Sequence, residues 1–172
     1  NVPLPAHVEH LPMPGLRMDE NFSGLFTVDA ERSLDEVKAE RAELLRGFMQ
    51  DVKPQALLID LFPFGRKAFG FELLPLLEEI RAGGLGAPKV ICSLRDILVE
   101  KSDQKKFELR ALKWLNGLFD ALMVHSDPEL IKLEDTFSRV DQIRVPLIYT
   151  GYVTPKPQPG AAEKLRNALG LK

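Results

Sequence analysis

Ala56-Leu57-Leu58-Ile59-Asp60-Leu61 is the stretch that decides the fold. It is a short, nearly unbroken apolar run, the pattern of a strand covered on both faces rather than one that alternates toward water. Lys89-Val90-Ile91-Cys92-Ser93-Leu94 and Ala121-Leu122-Met123-Val124-His125 repeat it, and Leu147 to Tyr149 offers a short final strand. Helical patterns fill the intervals. Before the first run, Ser33 and Glu36 form a capping box, and Leu34, Val37, Leu44, Leu45, Phe48, Met49 and Val52 recur at helical spacing up to the stop at Pro54. After it, Leu73, Leu74, Leu77 and Ile80 form a helix closed by Gly83-Gly84, with Pro75 expected in the first turn, where N–H groups lack partners anyway.

Phe107, Ala111, Trp114, Leu115 and Leu118 make the next helix, begun by Ser102 or Asp103. Ser126-Asp127-Pro128-Glu129 places a cap, a proline at the first helical position and an acid in the first turn, so a further helix is expected there. Parallel neighbours need a crossover, and helices supply it. The class is therefore α/β, a Rossmann-like parallel sheet with helices on both faces.

Outside this alternation, Asn1 to Asn21 reads as loop, one strand around Val8 to Leu11, and loop. Thr154-Pro155-Lys156-Pro157-Gln158-Pro159-Gly160 holds three prolines at alternate positions, which favours an extended connector without a core. The expected organisation is a domain over 1–153, a Pro-rich interdomain linker over 154–160, and over 161–172 the start of a second domain or a returning helix, with Leu165 and Leu169 on one face.

The 172 residues are 45% hydrophobic and 28% charged with net charge −2, the balance of a globular chain able to bury a core. No stretch approaches the ~20 apolar residues a membrane span needs, so a transmembrane segment is not expected and only peripheral membrane contact stays open. A sequence pI of 6.0 without a basic run argues against nucleic acid as partner. The lone Cys92 supports neither a disulfide framework nor a cysteine zinc set and fits a cytoplasmic location. A first residue of Asn rather than Met, with no signal sequence after it, suggests a start inside a longer gene product.

Ligands of an open parallel sheet bind beyond the carboxyl ends of its strands, which fixes the residues to inspect. Arg66 and Lys67, between Gly65 and Gly70, could hold an anion; the alternative is a solvated loop with ordinary surface charges. Phe62, Phe64 and Phe69 suit packing better than a substrate platform. Ser93-Leu94-Arg95-Asp96 brings a hydroxyl, a guanidinium and a carboxylate to one strand end. Arg95 can bind phosphate or carboxylate in paired hydrogen bonds, and Asp96 can orient it or accept a proton; the two could equally pair with each other and cap the next turn. His125-Ser126-Asp127 repeats the pattern, with His125 either a catalytic base or a hydrogen-bonded structural residue. GxxxxGK[ST], GxGxxG after a strand, HExxH and GxSxG are all missing, and Gly83-Gly84-Leu85-Gly86 follows a helix, the wrong end of the sheet for phosphate.

The succession LLIDLFPFGRKAFGFELLPLLEEIRA, VICSLRDIL, FDALMVHSDPELI and VPLIYTGYV resembles the N-terminal domain of a predicted bacterial glycosyltransferase family related to the UDP-N-acetylglucosamine transferase of peptidoglycan lipid-intermediate synthesis. The match runs from about Pro54 to Val153, and LRDIL and YTGYV are its most specific parts. The resemblance implies a GT-B architecture, with an acceptor domain and a donor domain around a cleft. It also implies catalysis without a metal or other cofactor, because helix dipoles and cations can steady the departing diphosphate. Val90-Ile91-Cys92-Ser93-Leu94-Arg95 is similar to the VIHEQN segment of the peptidoglycan enzyme, with Arg95 at the donor-contacting asparagine and Ser93 replacing the glutamate. Thr150-Gly151-Tyr152-Val153 resembles the TGNPVR segment leading to the hinge, with Pro155 in place of the arginine and Lys156 next.

Two parts of the related families are missing: the glycine-rich loop ending in Gly-His after the first strand, and the donor domain. A first, central strand is therefore expected upstream in the natural protein. The function expected is part of a GT-B glycosyltransferase that moves a sugar from a nucleotide donor, expected to be a UDP-sugar, to an unidentified acceptor hydroxyl, the isolated fragment being inactive. Asp96 and His125 are the candidate catalytic residues, and Arg66, Lys67, Ser93, Arg95, Ser126, Gly151 and Tyr152 the candidate substrate and donor contacts. The alternatives are a non-catalytic α/β binding or regulatory domain and a sugar-nucleotide 2-epimerase of the same architecture.

Overall fold

A computed structural model of the chain describes residues 4–20, 24–95, 98, 101–154 and 158–171. Four strands, β3 (Ala56–Asp60), β4 (Lys89–Arg95), β5 (Ala121–His125) and β6 (Leu147–Tyr149), form a parallel sheet in the order β3-β4-β5-β6. The class is thus α/β, with a Rossmann-like sheet flanked by helices, as the alternation of runs and helical patterns implies. The helices are α1 (Leu34–Val52), α2 (Gly70–Arg81), α3 (Gln104–Leu118) and α4 (Ala161–Ala168).

Local chemistry sets the helix ends. The Ser33 hydroxyl accepts from the Glu36 N–H while the Glu36 carboxylate accepts from the Ser33 N–H, so the capping box read from the sequence is formed. At the other end of α1, Lys53 turns left-handed (φ 47°) ahead of Pro54. Asp103 caps α3 by accepting from the Lys106 N–H at 3.0 Å. Gly83 at φ 83° ends the run after α2.

One face of the sheet carries the core. Val90, Cys92, Leu94, Leu122 and Val124 are fully buried beneath the helical layer, joined by Phe62, Leu77, Leu115 and Leu133. Phe62 stacks on Trp114 of α3 with ring centroids 5.3 Å apart. In the helical layer, α1 and α2 lie side by side, clamped by ion pairs of Arg41 with Glu72 at 2.7 Å and Arg46 with Glu79 at 2.8 Å. Each crossover steps to the next strand in the same direction, and right-handed crossovers then send their connections to one side. The opposite face, carrying Ala56, Leu58, Ile91, Ala121, Met123 and Ile148, is open at Leu58 and Ile148, which are 58% and 47% exposed. The apolar run at β3 therefore does not signal coverage on both faces of that strand. β3 is an edge strand, and the helices that the crossovers contribute form a layer on one face.

Three local expectations are corrected. No strand forms at Val8 to Leu11; a hairpin of β1 (Leu16–Met18) and β2 (Leu25–Thr27) forms instead and packs on α1. Pro75 lies in the second turn of α2, because the helix opens at Gly70 directly from a 3-10 turn at Lys67–Phe69. No α-helix starts at Ser126. Asp127, not Ser126, receives the N–H of Glu129, and the chain proceeds through 3-10 turns at Leu133–Asp135 and Val140–Gln142. The reason is that Leu133 and Phe137 are drawn into the core while the Leu133 N–H donates to the Tyr149 hydroxyl of β6 at 2.9 Å, a pull that an exposed helix could not satisfy.

Candidate functional site

β3, β4, β5 and β6 all end on the same rim, so strand register alone gathers several polar groups. Asp60 is level with Ser93, and Arg95 with His125. These four residues share the face of the sheet that the crossover helices leave open.

Asp60 is the hub. Its Oδ2 lies 3.4 Å from the guanidinium of Arg66 and 3.4 Å from that of Arg95, so one carboxylate draws two arginines together while most of their donor capacity stays toward solvent. Arg66 reaches this point from the loop after β3, which is held in a demanding conformation. Leu61 and Arg66 both have positive φ, 63° and 56°, in a region that costs a residue with a side chain roughly 1–2 kcal/mol. The Gly65 N–H donates back to the Leu61 carbonyl at 2.7 Å and fixes the loop.

Beside the arginines runs a chain of hydroxyl and imidazole. Ser93 Oγ is 2.8 Å from His125 Nε2, and His125 Nδ1 is 2.7 Å from Thr150 Oγ1. The Thr150 hydroxyl also faces the Gly151 carbonyl at 3.0 Å, and a carbonyl can only accept. When its single proton goes to that carbonyl, Nδ1–H donates to Thr150 and Nε2 accepts from the Ser93 hydroxyl. With this tautomer His125 can withdraw a proton through Ser93, the relation of a base to an activated hydroxyl. Ser93 is thus placed for proton relay as much as for contact with a ligand.

The remaining candidates distribute as follows. The Ser126 hydroxyl is buried and donates to the Ile131 carbonyl at 3.1 Å, away from this cluster. Gly151, at φ 70°, donates its N–H to the Ser126 carbonyl, fixing the exit of β6, and Tyr152 is exposed beyond it. Lys67 and Arg66 both line a further cleft. Asp96 and Lys156 lie outside the described residues. Asp60 and Thr150 are site residues that sequence reasoning did not single out; the signal for both was position, one at a strand end and one directly after a strand.

Among the described residues no cluster of three or more His, Cys, Asp or Glu side chains is suited to hold a metal, and no helix is long and apolar enough to cross a membrane. No family model matches the chain, and no curated protein or solved structure matches it.

Proposed function

We propose that this chain is the acceptor-side domain of a GT-B glycosyltransferase that uses a nucleotide-sugar donor, a UDP-sugar being the first candidate. The observation that carries the reading is the meeting of Asp60, Arg66 and Arg95 with the Ser93–His125–Thr150 chain on the carboxyl rim of a parallel sheet. Transfer with displacement at the anomeric carbon needs two things of the protein: a base for the acceptor hydroxyl, and positive charge for the departing diphosphate. His125 accepts the proton through Ser93. Arg95 and Arg66 steady the diphosphate, and Asp60 holds the two guanidiniums in place before a ligand arrives. The test is transfer or hydrolysis by the full-length protein with a panel of UDP-, GDP- and dTDP-sugars. Binding and turnover of one donor, with Arg95→Ala lowering both, is the expected result; failure to bind any nucleotide sugar ends the reading.

The hydrogen bonding of His125 favours one other reading. Both ring nitrogens are engaged by hydroxyls, which also suits a structural histidine in a non-catalytic anion-binding domain. In that case alanine at Arg95 or glutamine at His125 leaves any activity of the full-length protein unchanged.

A further inference from the structure

A cleft of about 900 Å³ opens between the β1–β2 hairpin, α1, the loop after β3 and the first turns of α3. Among the described residues six basic side chains line it, Lys38, Arg66, Lys67, Lys101, Lys106 and Arg110, against one acid, Asp103. That acid is already used: its Oδ1 accepts the Lys106 backbone N–H as the cap of α3. The side chains of Lys67, Lys101 and Lys106 enter no ion pair among the described residues.

Arg110 adds a second, independent sign. Its guanidinium is held over the rings of Trp114 and Phe107, at 5.6 and 5.9 Å, while its Nε is buried with no hydrogen-bond partner. Packing thus fixes the orientation of a planar donor whose Nε–H has no partner among the described residues. In a chain with net charge −2, six cations in one hollow make a local excess of positive charge that attracts an anion. The walls are mixed: Leu25, Phe64 and Phe69 line the cleft along with the cations.

We propose that this cleft binds a phosphate-bearing small molecule, its phosphate or diphosphate held by Lys67, Lys101, Lys106 and Arg110 and its carbon part laid against Phe69 and Leu25. A soluble phosphate ester and the headgroup of an anionic lipid share this chemistry. The site adds Lys101, Lys106 and Arg110 to the anion-binding residues and does not depend on the glycosyltransferase reading.

The test is calorimetric titration of the full chain with inorganic pyrophosphate. Lys101→Gln combined with Lys106→Gln weakens binding about 10-fold or more, since each removes a charge-assisted hydrogen bond. Lys105→Gln, on the same turn of α3 but outside the cleft, leaves it unchanged. Asp103→Asn keeps a capping side chain, removes the one acid among the described lining residues and tightens binding. Thermal melts of each variant verify folding. No binding of pyrophosphate overturns the proposal, and so does equal weakening by Lys105→Gln, which would mark nonspecific surface charge. Co-sedimentation with vesicles of phosphatidic acid in phosphatidylcholine identifies the source. Retention on them that is lost with Lys101→Gln and Lys106→Gln assigns the phosphate to a lipid; pyrophosphate binding without retention assigns it to a soluble ester.

Discussion

Leu58 and Ile59 are neighbours in one strand and face opposite environments. Ile59 is 7% exposed against the helical layer and Leu58 is 58% exposed. Replacing Ile59 with Ala should cost about 2–5 kcal/mol, whereas Leu58→Lys should stay within about 0.5 kcal/mol, measured by urea denaturation. Equal losses would mean that the open face is covered. This asymmetry could not be read from the sequence, because both residues are apolar and a run without alternation hides which face is inside. His125 was legible as a strand-end histidine, but its two hydroxyl partners come from β4 and from the residue after β6, and only register brings them close. If it acts as the base, His125→Gln in the full-length protein lowers kcat by about 10²–10⁴ with little change in thermal stability. A parallel fall in stability with kcat retained would make it structural.

Elements were read best where the signal was local. The capping box of α1 involves residues three apart, and the cap of α3 sits within the short stretch named for it. The helix expected after Ser126 failed because the deciding interactions are distant: the Leu133 N–H is taken by Tyr149, and the Ser138 backbone N–H and hydroxyl are taken by Glu108. Glu108 is the buried tie between α3 and this segment. Burial pushes its carboxyl up, but the two Ser138 bonds, at 2.8 and 2.7 Å, Gln104 and the charge of Arg139 outweigh it and hold the group below the ordinary 4.5. The Arg139 Nε, 3.4 Å away, contributes charge without hydrogen-bond alignment. A carboxylate lowered on folding stabilises fully above its unfolded value and loses that contribution as pH falls through the folded one. Asp120 acts in the same sense: burial raises it, and Arg81, the Val90 N–H and Lys89 more than reverse this. Stability should therefore decline below about pH 4.5. Glu108→Gln should cost about 1–3 kcal/mol at neutral pH and show a shallower acid decline, followed by circular dichroism; an unchanged slope would remove Glu108 from this role.

At the scale of the molecule, strand order turns a sequence of alternating elements into a sheet with a dry side and an open one. Parallel pairing was legible because only a crossover could join such runs, while the direction of each step, which decides where the helices go, leaves no trace in composition. The dry side encloses Cys92, between Ile59 and Leu122 at the centre of the ladder. Its thiol is fully buried, and burial together with the nearby charge of Asp60 raises its pKa well above the usual value, so it is inert while the sheet is closed. The chain thereby carries its own clock. A disulfide reagent should modify Cys92 only through openings that part the central strands, so the labelling rate at limiting reagent counts those openings and should rise in Ile59→Ala but not in Leu58→Lys.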